Sequence, residues 1–224
     1  MKTTVFVILG LLLSATAANV VYAQDSVTRK TENITIPYTA ADAVLLSPEH
    51  YDFPSEHVAN WILTMDNNLE YNEDNPEAKI VLRLKETQAD TDFVEIAMLS
   101  PPSQTLWVAV ANEQVGYMRM VENSNAWFVG KPVTASLVQN DKLSINNGVR
   151  TVLDRLRIGE FTLGTIEVYG RDNADAGVSA LSGEVLLEVV SGNPLDNPIM
   201  MIPPLVAVIT GGVIVTLLLI KKRT

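Results

Sequence analysis

Residues 24–198 contain no long stretch with the 3.6-residue period of an amphipathic helix. Short apolar or alternating runs recur instead, separated by Asn, Asp, Gly and Pro. A side chain every second position on one face is the signature of a strand that packs on one side. The runs are 33–38, 58–65, 80–84, 93–99, 106–111, 114–121, 126–129, 133–138, 143–145, 151–158, 161–169 and 184–190. Residues 106–111 are apolar on both faces, as in a strand covered on both sides. Residues 133–145 read as a hairpin around Gln139-Asn140-Asp141-Lys142, and Asn147-Gly148 is a turn signal because both residues tolerate positive φ. Residues 38–53 fit a short helix or a loop packed on the sheets. This pattern predicts an all-β domain, an antiparallel β-sandwich of jelly-roll-like or immunoglobulin-like form.

The two ends of the chain are of a different kind. Residues 199–220 are free of charge and are followed by Lys221-Lys222-Arg223-Thr224. At about 1.5 Å per residue this run spans roughly 33 Å as a helix, enough for a bilayer core, and the basic tail marks the cytoplasmic side. At the other end Lys2, an apolar core and Val21-Tyr22-Ala23 have the parts of a secretory signal peptide. The expected organisation is a signal peptide at 1–23, an extracytoplasmic sandwich at 24–192 and a short linker at 193–198. A transmembrane helix at 199–220 and a cytoplasmic tail at 221–224 complete it. The expected location is the cell membrane, crossed once, with the lipid bilayer as one partner. The Pro-rich lead-in, apolar run and basic end at 194–224 also resemble the tripartite sorting signals of prokaryotic surface proteins, which implies removal and replacement by an anchor.

Charge and composition exclude several function classes. All 26 acidic residues lie within 24–198, against 12 of the 16 Lys and Arg, an excess of fourteen negative charges. Such a surface repels nucleic acid and anionic lipid. There is no cysteine, so stability must come from burial, and thiolate chemistry is absent. Two histidines, His50 and His57, are too few for an imidazole-rich metal site.

Among candidate sites, Asp66, Asn68, Glu70 and Asn72 alternate within a dense polar stretch, and carboxylate and amide oxygens are ligands that Ca²⁺ prefers. Their spacing departs from the EF-hand, with Tyr71 where a glycine would turn the loop. Asp172, Asn173 and Asp175 form a second such group, and Asp90 with Asp92 a third. His50 and His57, with Glu49, Asp52 and Glu56, would share a metal if Phe53-Pro54-Ser55 turned the chain back. No cofactor other than Ca²⁺ is implied. Trp61, Trp107, Trp127, Tyr117 and Tyr169 include the candidates for a sugar-stacking platform; Trp127, flanked by Asn125 and Gly130, is the better surface candidate and with Tyr117 makes the expected carbohydrate site, and Trp107 reads as core. Asn33-Ile34-Thr35 is a glycosylation sequon. There is no Gly-x-Ser-x-Gly elbow, and the abundance of acids makes any single carboxylate pair uninformative. The leading reading is a non-enzymatic surface protein on a prokaryotic membrane, with a binding or accessory role toward envelope or surface-layer proteins or glycans. A surface-displayed carbohydrate-binding module is the alternative, and a membrane-anchored hydrolase is the third.

Overall fold

The computed structural model describes residues 30–57, 60–87, 89, 91–113, 116–139 and 141–191; within these, the side chains of 54–57 are not described. The expected signal peptide, linker, transmembrane helix and tail lie outside the described residues. The compact unit runs from Lys30 to Ser191.

Its strands are β1 (Lys30–Pro37), β2 (Glu49–His57), β3 (Trp61–Asn67), β4 (Glu70–Tyr71), β5 (Lys79–Glu86), β6 (Phe93–Leu99) and β7 (Leu106–Asn112). They continue with β8 (Gly116–Asn123), β9 (Val133–Val138), β10 (Lys142–Asn146), β11 (Thr151–Arg157), β12 (Leu163–Tyr169), β13 (Ala180–Ser182) and β14 (Glu184–Ser191). One sheet has the order β1-β14-β3-β9-β10-β11, and the other β2-β12-β5-β6-β7-β8. β13 and β4 form a small third sheet. The paired strands named in these sheets are antiparallel. The all-β sandwich expected from the alternation is present, and its wiring is jelly-roll-like.

Two segments differ from the expectation. Residues 38–42 form a 3-10 turn, 43–48 connect it to β2, and the last five of the sixteen residues expected as helix or loop are already strand. Residues 126–129 are not a strand, because Ala126 and Trp127 plug the end of the sandwich and the chain needs no ladder there. The Asn147 amide nitrogen donates to Ala126 O, while its oxygen accepts the Val149 and Arg150 amides. That one side chain fixes both the turn and the plug.

The core is what the two inner faces bury together. Trp61, Leu63 and Met65 from β3 meet Ile80, Leu82 and Leu84 from β5, with Ile96 and Met98 from β6. Each such side chain contributes about 1.5–3 kcal/mol by leaving water. β14 is a clean alternation, with Val185, Leu187 and Val189 inside and Glu184, Leu186 and Glu188 outside. Its first and last residues pair with the opposite ends of β1, Pro37↔Glu184 and Lys30↔Ser191.

Gly170 follows β12 where two other segments crowd it. A Cβ there would collide with the carbonyl oxygens of Ala41 and Lys79. Gly116 has φ +66° but open space around it. Gly170→Ala should therefore cost about 3 kcal/mol through overpacking, and lower the melting temperature by roughly 6–12 °C. Gly116→Ala should cost only about 1 kcal/mol. Thermal unfolding of the two variants beside wild type checks the ranking, and equal costs would contradict it.

Candidate functional site

Three strands each carry one charged residue inside an otherwise apolar run: Arg83 in β5, Glu95 in β6 and Glu167 in β12. Their neighbours Leu82, Leu84, Val94, Ile96, Ile166 and Val168 belong to the core. Alternation therefore places the three charges on the outer face of the β2–β8 sheet. The register puts them in one row with their flanking partners: His50↔Glu167, Glu167↔Arg83, Arg83↔Glu95, Glu95↔Ala109 and Ala109↔Arg119. The adjacent row reads Asp52, Thr165, Lys85, Phe93, Ala111, Tyr117.

Arg83 organises the centre. Its Nε and one terminal nitrogen donate to Glu95 Oε1 at 2.9 and 2.8 Å, and the other donates to Glu167 Oε2 at 3.2 Å. Lys85 Nζ lies 3.2 Å from Glu167 Oε1. The Tyr169 hydroxyl donates to Glu95 Oε1 at 2.7 Å. Glu95 is 2% exposed, a buried carboxylate that persists because its charge is opposed and hydrogen-bonded. Burial works against the Arg83 charge, but its bond to Glu95 and the carboxylates of Glu95 and Glu167 outweigh that and raise its pKa.

Aromatic rings flank the charges. The Arg83 guanidinium lies 4.5 Å from the Phe93 ring and 5.4 Å from that of Tyr169. Phe93 and Tyr117 are tilted together with centroids 6.2 Å apart. Tyr117 is 52% exposed, so one ring stands open beside the polar row. Trp107 lies on the same face with Arg119 stacked 3.9 Å over it. Beyond it Val81, Ala97 and Tyr169 form a small second core, covered by Ala43 and Leu45.

The expected sites fare unevenly. Tyr117 is at the surface. Trp127 is not: it is 1% exposed, its Nε1 donates to Leu99 O at 2.7 Å, and its ring packs against Tyr71. Trp127 turns into the sandwich end, while Trp107, on the outer side of β7, is partly buried beneath Arg119 and packs against the small second core. β2 passes through Phe53-Pro54-Ser55 with a register shift, and His50 and His57 pair with Glu167 and Leu163, about 13 Å apart along β12, instead of sharing a turn. Asp66 belongs to β3 while Glu70 begins β4 and accepts the Ser182 hydroxyl at 2.6 Å. Asn68 is exposed in the turn between them, and Asn72 caps the Asp74 amide and donates to Val178 O. Asp172 pairs with Lys79 at 2.6 Å, and Asn173 caps the Asp175 and Ala176 amides. Among the described residues no three His, Cys, Asp or Glu side chains gather where they would hold a metal ion. Asn33 is exposed on β1, an edge strand of its sheet.

No protein-family model matches the chain, and no curated protein matches it. Among solved structures it is similar to a galectin of Caenorhabditis elegans, at 11% identity over 72% of this chain and 95% of that one, with a TM-score of 0.38. A carbohydrate-binding module from Bacillus subtilis aligns at 8% identity over 71% of this chain and 94% of that one, with a TM-score of 0.40. A glycosidic hydrolase aligns at 12% identity over 73% and 78%, with a TM-score of 0.45. Likeness at this level carries no argument about ligand or activity.

Arg83→Met should cost about 3–5 kcal/mol, because it strands the Glu95 charge inside the sheet. Adding Glu95→Met should recover most of that loss. A double-mutant cycle by denaturant unfolding measures it, and additive costs would show the pair to be uncoupled.

Burial raises the Tyr169 pKa, with the Glu95 charge adding to the effect, and burial likewise raises that of Tyr71 despite its bond from Asn67. Both phenols stay protonated in the fold well above the free value of about 10. Their contribution to stability is thus fully present below that pH and is lost as pH rises through the folded-state values. Tyr71→Phe and Tyr169→Phe should each remove phenolate absorbance that otherwise develops only with alkaline unfolding.

Proposed function

We propose that the chain is a non-catalytic, membrane-tethered binding protein whose sandwich recognises glycans through the outer face of the β2–β8 sheet. The observation that supports it is the row His50–Glu167–Arg83–Glu95 lying next to the open Tyr117 ring. Sugar recognition needs polar atoms held at fixed positions and an aromatic face against the pyranose C–H groups. Mutual pairing holds Arg83, Glu95, Glu167 and Lys85 in place, so ordering them on binding costs little. Hydrolysis by paired carboxylates would call for one acid and one base set at a distance across the bond. Here Glu95 and Glu167 are both tied to the same guanidinium, which favours binding over cleavage.

The tether rests on the charge-free run at 199–220 and the signal features at 1–23; by that reading the sandwich is displayed on the outer face of a prokaryotic membrane.

Full-length protein in detergent, applied to an oligosaccharide array, should retain a defined glycan set. Tyr117→Ala and His50→Ala should each weaken that binding about tenfold, or 1.4 kcal/mol, with the melting temperature nearly unchanged. The same glycans should adhere to intact cells that display the chain, and protease added outside should abolish adhesion. Binding that survives both substitutions would remove the site from this face, and adhesion that needs lysis would overturn the topology.

A further inference from the structure

We infer that the face takes an uncharged, hydroxyl-rich glycan and discriminates against uronate and sulfate groups; this rests on the glycan reading above and specifies its ligand class. The basis is how completely the cations of the face are matched.

Among the described residues, the strands of this sheet turn four cationic side chains to the outer face, and each has a carboxylate partner. Lys79 meets Asp172 at 2.6 Å, Arg83 meets Glu95 at 2.8 Å and Glu167 at 3.2 Å, Lys85 meets Glu167 at 3.2 Å, and Arg119 meets Glu122 at 2.9 Å. A fifth carboxylate, Asp52, accepts the Thr165 hydroxyl at 2.9 Å, so the acids outnumber the bases on the face as they do in residues 24–198. An anionic sugar would have to draw Arg83 or Lys85 away from Glu167, leaving that carboxylate nearly buried and less well opposed. It would also approach a strongly negative domain.

A hydroxyl makes no such demand, because it donates to one partner and accepts from another. The exposed rim of the row offers both functions: the His50 imidazole, 57% exposed, stands 3.8 Å from Glu167 Oε1. Asp52 and Thr165 continue the same edge. Glu167 accepts from Arg83 on one oxygen and lies beside Lys85 with the other, leaving lone pairs on a carboxylate whose position is already set. Pairs of this kind cannot neutralise a ligand charge, but they can hydrogen-bond to neutral groups without being broken.

The test uses full-length protein in detergent with two probe sets. The neutral set is cellotetraose, maltotetraose, xylotetraose, mannotriose and lactose, and the anionic set is tetragalacturonate and a heparin tetrasaccharide. Titration calorimetry in about 0.05 M and about 0.5 M salt reads the charge dependence. The inference expects binding within the neutral set, less than about a twofold change in affinity between the two salt conditions, and weakening by Tyr117→Ala. Binding confined to the anionic set, with affinity falling tenfold or more in high salt, would overturn the ligand class while leaving a glycan site on this face. Binding to neither set, or neutral binding indifferent to both Tyr117→Ala and His50→Ala, would overturn the glycan reading itself.

Discussion

Arg83 is the one side chain that lets the second sheet be apolar on its inner face and charged on its outer one. β5 is central to that sheet, flanked by β12 and β6, and each neighbour turns a glutamate toward it. Two carboxylates this well buried would repel each other and lose their hydration. One guanidinium opposes both with three directed bonds, a geometry that a lysine ammonium does not reproduce. Around that fork Tyr169, Phe93 and Lys85 take their positions. The outer face is thus a rigid polar surface, where an uncompensated charge would have opened it to water.

Stability elsewhere comes from shape. With no disulfide, the sandwich relies on the inner faces of its two sheets and on plugs at the ends. Trp61 and Trp127 are among the largest of its fully buried side chains. Trp61 lies tilted against Phe161, and Trp127 against Tyr71. The small sheet of β4 and β13 closes over the same region, and Gly183 makes the bend between β13 and β14 with φ +91°. The dense polar stretch at 66–77 is part of this closure. Its asparagines supply the turn caps that a short, tightly bent connection requires.

Strand positions were legible because one face of most strands is wet, as β14 shows residue by residue. β2 was obscured because Pro54 breaks its pattern, and a strand at the edge of a sheet tolerates proline that a central one would not. Trp127 was misread for a physical reason: a local window reports hydrophobicity but not which way the chain turns a side chain. Trp107 sits among apolar residues because both sides of β7 are covered, the outer one by Arg119 and the small second core. The site did leave a trace in the sequence. Single charges of alternating sign at Arg83, Glu95 and Glu167 interrupt three apolar runs, and strand pairing was needed to see them as one row.

The side-by-side exit of the chain at Lys30 and Ser191 has a mechanical consequence. β14 lies between β1 and β3, bonded along its length on both sides. A load applied at Ser191 and resisted at the outer face of the opposite sheet pulls β14 along its own axis. Both ladders then bear that load in parallel, and many bonds must fail together. A load applied between Lys30 and Ser191 instead peels β1 from β14 one bond at a time. The same fold is therefore strong against traction from its C-terminal side and weak against separation of its two ends.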